Sequence, residues 1–291
     1  MSQATLGYRS AVSGDVAGRI NLTVARQGRL TRPVRTESSG VLRLMQPLYL
    51  DDSGQVTYIV VNPGGAYFGE TYELSVEAQP EAHLLLASQG ATRIYKTPNE
   101  PAIQEIAVTL RSGSRMEYIP DQTIAYRDAD FRQHMVITAA PDAQGFFAED
   151  VTPGWDPGDT NFTYAGMHLR IDVRGEEGGG LVCRDNVRIQ PGLVGHALEG
   201  IGYLEGYTHM GSILILGQHT IGNYADMVRD TVDTVGPGKV GVTHGSRHGV
   251  SWLMVRALAE STDALNAMIL AVNELDRSVT TGQSRLDLRR Y

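Results

Sequence analysis

Residues 71–88 read TYELSVEAQPEAHLLLAS. From Tyr72 to Ala78, the apolar positions Tyr72, Leu74 and Val76 alternate with Glu73, Ser75 and Glu77. This is the period of a strand with one buried face. Pro80 breaks the pattern. Ala82 to Ala87 is then a continuous apolar run, consistent with a strand buried on both faces.

The same pattern extends in both directions. Gln55 to Val61 (QVTYIVV) is rich in β-branched and aromatic residues and stops at Asn62-Pro63-Gly64-Gly65. Ala102 to Leu110 alternates through Ile106, Val108 and Leu110, and Met116–Ile119, Phe131–Thr138, Met167–Val173 and Leu181–Ile189 continue the series. Turn residues separate these runs at Pro98-Asn99, Ser112-Gly113, Pro141-Asp142, Gly175 and Gly178–Gly180. Strands at this spacing predict a mainly β architecture. No fixed period links them, so periodicity alone does not predict a repeat solenoid. The last third differs. Asn223 to Val235 places apolar residues at three- and four-residue steps and ends at Gly236-Pro237-Gly238, which predicts an amphipathic helix. Ile213–Leu216 reads as a short strand, and Val240–Thr243 with Val250–Leu258 as a hairpin. A second helix is expected from a cap at Thr262-Asp263 to about Arg277, with Leu265, Met268, Ile269, Val272 and Leu275 on one face.

Composition bounds the function. The chain has 291 residues, 42% hydrophobic and 20% charged, which is globular rather than disordered. A net charge of -8 argues against a general nucleic-acid binder and against docking on anionic lipid. The single cysteine, Cys183, rules out an internal disulfide and a Cys-rich zinc module. The start MSQATLGYRS lacks the basic and apolar stretches of a signal peptide, and no apolar run approaches a membrane span, so a cytoplasmic location is expected. The N-x-T sequences at Asn21 and Asn161 are then chance matches.

Phosphate-loop, dinucleotide-binding and nucleophile-elbow motifs are absent from the sequence. His244-Gly-Ser-Arg-His248 has the spacing that puts two imidazoles on one helix face, but Gly245 and Ser246 favour a turn. A β-sheet metallohydrolase using His244, His248 and nearby carboxylates is one reading; a sugar-binding β module, suggested by Tyr and Gly content, is another. Glu70, Glu73, Asp121, Glu149, Asp150, Asp156 and Asp159 read mostly as solvated turn residues. Glu70 and Asp150 stand out because each ends an apolar or Gly-rich run. A carboxylate buried there needs a partner such as a cation or Arg93.

Several motifs in order resemble one family. They are Gln46-Pro47-Leu48-Tyr49, the turn Asn62 to Gly65, Gly69-Glu70, the strand Gln89 to Tyr95 and the strand Ile119 to Tyr126. The region from Gly195 to the first helix, the Gly249 strand and the closing Leu288-Arg289-Arg290 also fit. The pattern resembles the urease accessory protein UreD, called UreH in some organisms, over residues 20 to 290.

The resemblance implies a single domain over residues 1–291, with residues 1–18 and 284–291 as flexible ends. It implies a helix-like stack of strands with two α-helices near the C-terminus, and no catalysis. The implied role is a cytoplasmic scaffold that binds apo-urease and the helical accessory protein UreF, through which the GTPase UreG is recruited. The complex is expected to be a dimer of heteromers. The resemblance further implies that no cofactor is tightly bound and that Ni²⁺ passes in transit through an internal channel. Glu70, Asp150 and Cys183 are the candidate metal-contacting residues. Asn62, Gly64, Gly65, Gly69, Thr92, Arg93 and Tyr95 are channel or structural positions. Trp155, Leu288, Arg289 and Arg290 are candidate partner contacts, and the stretch from Thr262 to Tyr291 a candidate surface for the helical partner. Where Cys183 stands, members often carry Glu. Where Trp155 stands, a Pro-Gly-Arg motif is common.

Overall fold

The computed structural model describes residues 16–176, 179–192, 198, 200–236 and 238–288. The strands in chain order are β1 (Val16–Gln27), β2 (Leu30–Gly40), β3 (Arg43–Leu44), β4 (Val56–Val61), β5 (Thr71–Ala78), β6 (His83–Ser88), β7 (Thr92–Ile94), β8 (Ala102–Leu110), β9 (Arg115–Ile119), β10 (Thr123–Ala125), β11 (Asp130–Ala139), β12 (Gln144–Val151), β13 (Gly166–Gly175), β14 (Leu181–Ile189), β15 (His209–Leu216), β16 (Lys239–Arg247) and β17 (Val250–Ala259). Among the described residues two α-helices complete the fold, α1 (Tyr224–Asp233) and α2 (Thr262–Thr281).

The chain coils. Four strand pairs, β4 with β5, β6 with β8, β9 with β11 and β12 with β13, form successive rungs whose strands add in parallel to two facing sheets. β7 and β10 make a narrow third side between the sheets, joined to β12 at Thr123 and Val151. This is a β-solenoid, where periodicity alone predicted none. The rungs begin at residues 56, 83, 115 and 144, so they are 27, 32 and 29 residues long. Unequal third-side loops hide the repeat from a period search.

The repeat survives in three-dimensional register. Three corners close with the same backbone bond, from Ala82 N to Gln79 O, Ser114 N to Arg111 O and Ala143 N to Ala140 O. Each places a small buried residue at the same point. Beyond them, His83, Arg115 and Gln144 stand in one row.

Antiparallel strands close the ends. β1 pairs in parallel with β5, and β2 folds back on it as an edge. β2 carries Pro33 and exposed Arg32, Arg35 and Glu37, which discourage further strand addition. The β1–β2 hairpin and β12 are absent from the strand reading of the sequence. At the other end β14 finishes one sheet, and β15, β17 and β16 extend the other.

Core residues lie in two layers. Ile20, Leu74, Val108, Ile137, Leu86, Phe147 and Leu214 fill the space between the sheets. Phe146, Ala148, Ile213, Ile215 and Val255 face outward from the second sheet and are covered by α1 and α2. Leu265, Met268, Ile269 and Val272 form the buried face of α2, each contributing roughly 1.5–3 kcal/mol. Ser261, rather than Thr262 or Asp263, caps this helix by accepting from Ala264 N at 3.2 Å, and Gly282 ends it at φ 68°. Leu286 and Leu288 pack onto Ile59, Leu85 and Ala87, so described residues 284–288 return to the sheet. Val16 to Gly18 already belong to β1. Residues 1–15, Gly195, Pro237, Arg289, Arg290 and Tyr291 lie outside the described residues.

Candidate functional site

The two faces of β12 separate its two carboxylates. Phe147 and Val151 point between the sheets, whereas Phe146 and Ala148 point toward the helices. By this alternation Glu149 enters the lumen and Asp150 faces the helix layer. Both are buried, 6% and 8% exposed. Glu149 is therefore no solvated turn residue, and neither is Asp156, which is buried and held by Arg127.

Glu149 belongs to a line of polar groups inside the apolar lumen. Tyr72, Gln104 and Gln133 stand in one cross-strand row on β5, β8 and β11. The Tyr72 hydroxyl donates to Glu70 Oε2 at 3.1 Å, where the line meets the surface. The Tyr72 ring stacks on Tyr67, centroids 3.9 Å apart, and Gln104 Nε2 donates to Tyr67 Oη at 3.3 Å. Gln133 Nε2 donates to Glu149 Oε1. In the opposite sheet, Glu149, Ser212 and Arg256 are register neighbours on β12, β15 and β17. Arg256 donates to Ser212 Oγ at 2.6 Å and to both carboxylate oxygens of Asp185 at 2.6 and 2.8 Å. Polar side chains thus run from exposed Glu70, across all four rungs, to Asp185 on β14.

The electrostatics of this line are uneven. Burial, reinforced by the Asp185 charge, pushes Glu149 up to about 7, against the pull of Arg256 and Gln133. Its Oε2 is buried, with no hydrogen-bond partner among the described residues. Burial also pushes Tyr72 up to about 12, with the Glu70 carboxylate adding to the effect. An orphaned carboxylate oxygen among neutral amides and hydroxyls can accept a proton or a cation.

The residues singled out from the sequence divide among several places. Asn62, Gly65, Thr92 and Arg93 line one surface cleft of about 500 Å³, floored by buried Leu42 and Tyr67; Glu70, Asp150 and Cys183 do not line it. Asn62 organises its turn, accepting from Gly64 N at 3.0 Å and donating to Ala66 O at 3.1 Å. Gly65 has φ 77°. Gly69 presses against the next loop, where an added Cβ would stand 2.3 Å from Glu100 O. Glu70 is exposed and bonded by Tyr72, so neither its expected burial nor a pairing with Arg93 is found. Tyr95 points outward beside Tyr126. Cys183 is half-buried on β14, and burial, with Asp185 and Asp172 nearby, pushes its thiol up to about 12. Trp155 is exposed. Leu288 is half-buried against the core.

His244 and His248 share no helix face. His244 is on β16, and the turn falls at His248-Gly249, with φ 53° and 76°, not at Gly245-Ser246. Four residues along an extended strand separate such groups by about 10 Å or more. Among the described residues, no group of three His, Cys, Asp or Glu is placed to hold a metal ion. The metallohydrolase reading loses its geometric basis.

Sequence reasoning missed Glu149, Gln104 and Gln133. The signal was available for Glu149: it sits inside FFAEDV, a run apolar on both faces, where any carboxylate is buried. The glutamines carry no such signal.

No helix among the described residues is long and apolar enough to cross a membrane. A family model described as UreD urease accessory protein matches residues 16–290. A urease accessory protein UreD of Arthrobacter sp. (strain FB24) is 40% identical over 278 residues, covering 94% of each chain. The UreD of Actinomyces naeslundii is 38% identical over 285 residues, 94% of this chain and 98% of that protein. That of Staphylococcus epidermidis is 31% identical over 278 residues, with 94% and 98% covered.

Proposed function

The chain belongs to the family of UreD urease accessory proteins and has a role in urease maturation; on that premise we propose that it is a non-catalytic scaffold that passes nickel to apo-urease along the polar line in its lumen. Nickel is cargo here. The scaffold works in the cytoplasm, in a complex with apo-urease, a helical UreF-like protein and, through it, a UreG-like GTPase, arranged as a dimer of heteromers.

The observation that supports this reading is the orphaned Glu149 Oε2 within a row of polar side chains that takes one from each rung, Tyr72, Gln104, Gln133 and Glu149. Ni²⁺ accepts carboxylate, carbonyl and hydroxyl ligands. A conduit needs sites strong enough to admit the ion and too weak to hold it. Tyrosine hydroxyls, glutamine amides and one carboxylate of raised proton affinity supply such sites. Glu70 is the surface acceptor at one end, Glu149 the interior one and Asp185 the acid at the other. Asp150, behind the same strand, serves the exit toward the helix layer. A half-buried thiol with little thiolate character makes Cys183 a secondary contact.

The test is Glu149→Gln in the full chain, co-expressed with the other urease maturation proteins and apo-urease. The amide keeps the Gln133 contact and removes the charge. The expected outcome is an intact complex and urease with reduced nickel per active site. Normal nickel loading would end the lumen reading.

A further inference from the structure

The third side of the solenoid carries a feature that the lumen does not use. Phe68, Tyr95, Tyr126 and Trp155, one from each rung, form a continuous row of rings with centroids 5.4, 4.7 and 4.9 Å apart. Phe68, Tyr95 and Trp155 are 46%, 39% and 50% exposed, and Tyr126 is half-buried. Backbone pairing holds the row in step: Tyr95 N donates to Tyr67 O at 2.9 Å, Tyr126 N to Ile94 O at 2.9 Å and Trp155 N to Ala125 O at 2.9 Å. Ile94 and Ala125 point into the core, so their neighbours Tyr95 and Tyr126 point out. A contiguous aromatic stripe left in water marks an interaction surface.

The charges around the stripe say what it meets. Lys96 pairs with Asp128 at 2.8 Å, and Arg127 Nη2 with Asp156 at 2.7 Å. Those neighbours are satisfied within the chain. Arg93, two residues before Tyr95 and on the same outward side, is exposed, and no hydrogen bond or ion pair holds its guanidinium among the described residues. The surface therefore offers an apolar ridge with the Arg93 cation beside it and the exposed Glu70 carboxylate two residues after Phe68.

The shape narrows the occupant further. Successive rings are inclined by 86°, 61° and 42°, so the ridge offers no flat platform for stacking sugar or base rings. The rings repeat at 5.4, 4.7 and 4.9 Å along the ridge, near the 5.4 Å pitch of an α-helix. A strand laid along the ridge would present side chains on one face about every 6.7 Å and fall out of step.

We propose that the Phe68–Tyr95–Tyr126–Trp155 stripe docks an amphipathic α-helix of a partner protein over roughly three turns. Apolar side chains at three- and four-residue steps pack across the row of rings, and a carboxylate on the same helix meets Arg93. The docking stands on this outward face and is independent of metal passage through the lumen.

The experiment places the photo-reactive residue p-benzoylphenylalanine at position 155 of the full chain, co-expressed with apo-urease and the other urease maturation proteins, and maps the cross-linked peptide by mass spectrometry. The expected product joins position 155 to a helical segment with apolar residues at three- and four-residue steps and an Asp or Glu within it. Trp155→Ser with Tyr95→Ser should lower recovery of that partner by roughly tenfold or more. Arg93→Glu should lower it, with recovery when the partner's acidic residue is changed to Lys. Far-ultraviolet circular dichroism and thermal unfolding confirm that each variant is folded. Cross-linking to a second copy of this chain, to a strand or loop, or to nothing would overturn the proposal. So would unchanged recovery of the partner by the folded double variant. None of these outcomes depends on nickel, so a failure here leaves the lumen reading untouched.

Discussion

Arg277, near the end of the last helix, donates through Nη1 to Glu117 Oε1 at 2.6 Å, and both side chains are sealed from solvent, 1% and 0% exposed. Glu117 lies on β9, in the third rung. Arg277 also donates to Gln55 Oε1 at 2.9 Å and to Ser284 O at 2.8 Å, while Asn273 Nδ2 donates to Glu117 Oε2 at 3.2 Å. The preceding residue, Asp276, accepts from Arg115 at 2.7 Å and from the Tyr224 hydroxyl at 3.1 Å and is bonded by His219 at 2.9 Å. Two cations and two anions thus pin α2 to the sheet.

Arg277→Met leaves Glu117 buried without its principal cation. Such a loss costs about 3–5 kcal/mol. Urea unfolding should show a lower midpoint with little change in slope. Adding Glu117→Leu should recover part of the loss, because the orphaned charge is then gone; a double variant as unstable as the sum of the singles would contradict this.

Glu149 predicts a dependence on pH. Its folded pKa, about 7, stands above the ordinary value of 4.5, so the folded state binds more protons than the unfolded state between those values. The contribution is fully present below about 4.5 and is lost as pH rises through about 7. The span is on the order of 3 kcal/mol. The unfolding free energy of the native chain minus that of Glu149→Gln should fall as pH rises across this window; the difference isolates Glu149 from His83 and His209, whose lowered values act the other way.

Gly65 has φ 77° and open space where a side chain would stand. The cost of Gly65→Val is therefore conformational, about 1–2 kcal/mol. Gly65→Asn, whose side chain tolerates this region, should lose only a fraction of that. Thermal unfolding distinguishes the two. Equal losses would point to crowding instead.

Cys183 should be inert in the folded chain. With its thiol pushed up to about 12, little thiolate exists at pH 8. Alkylation by iodoacetamide should be roughly tenfold or more slower in buffer than in urea. Equal rates would mean an accessible, ionised thiol.

The strands of alternating pattern were legible in the sequence because each has one face in the lumen and one outside: Tyr72–Ala78, Ala102–Leu110 and Phe131–Thr138 all lie within β5, β8 and β11. Both helices were legible from their apolar stripes. β2 was not, because almost every residue in it is exposed and its shape comes from pairing with β1. The solenoid was not legible from periodicity, since its regularity lies in register between rungs of unequal length; the family resemblance alone implied the helix-like stack of strands that the structure shows. The surface part of the candidate site showed through motifs such as Asn62–Gly65. The interior part did not. Gln104 and Gln133 occupy ordinary alternating positions, and only their meeting with Tyr67 and Glu149 across the lumen gives them a role.

The clasp between Arg277, Glu117 and Gln55 also sets a timetable. A ribosome releases the first rung long before it releases α2. Until then, Glu117 and Arg115 sit on a growing sheet without the helix that neutralises them. The nascent solenoid can coil, but its outer charges stay wet and its helix-covered face open. Completion waits for the last few dozen residues: a chain that ended before Thr262 would lack Leu265, Met268, Ile269 and Val272, which cover that face, as well as Asp276 and Arg277, which answer Arg115 and Glu117.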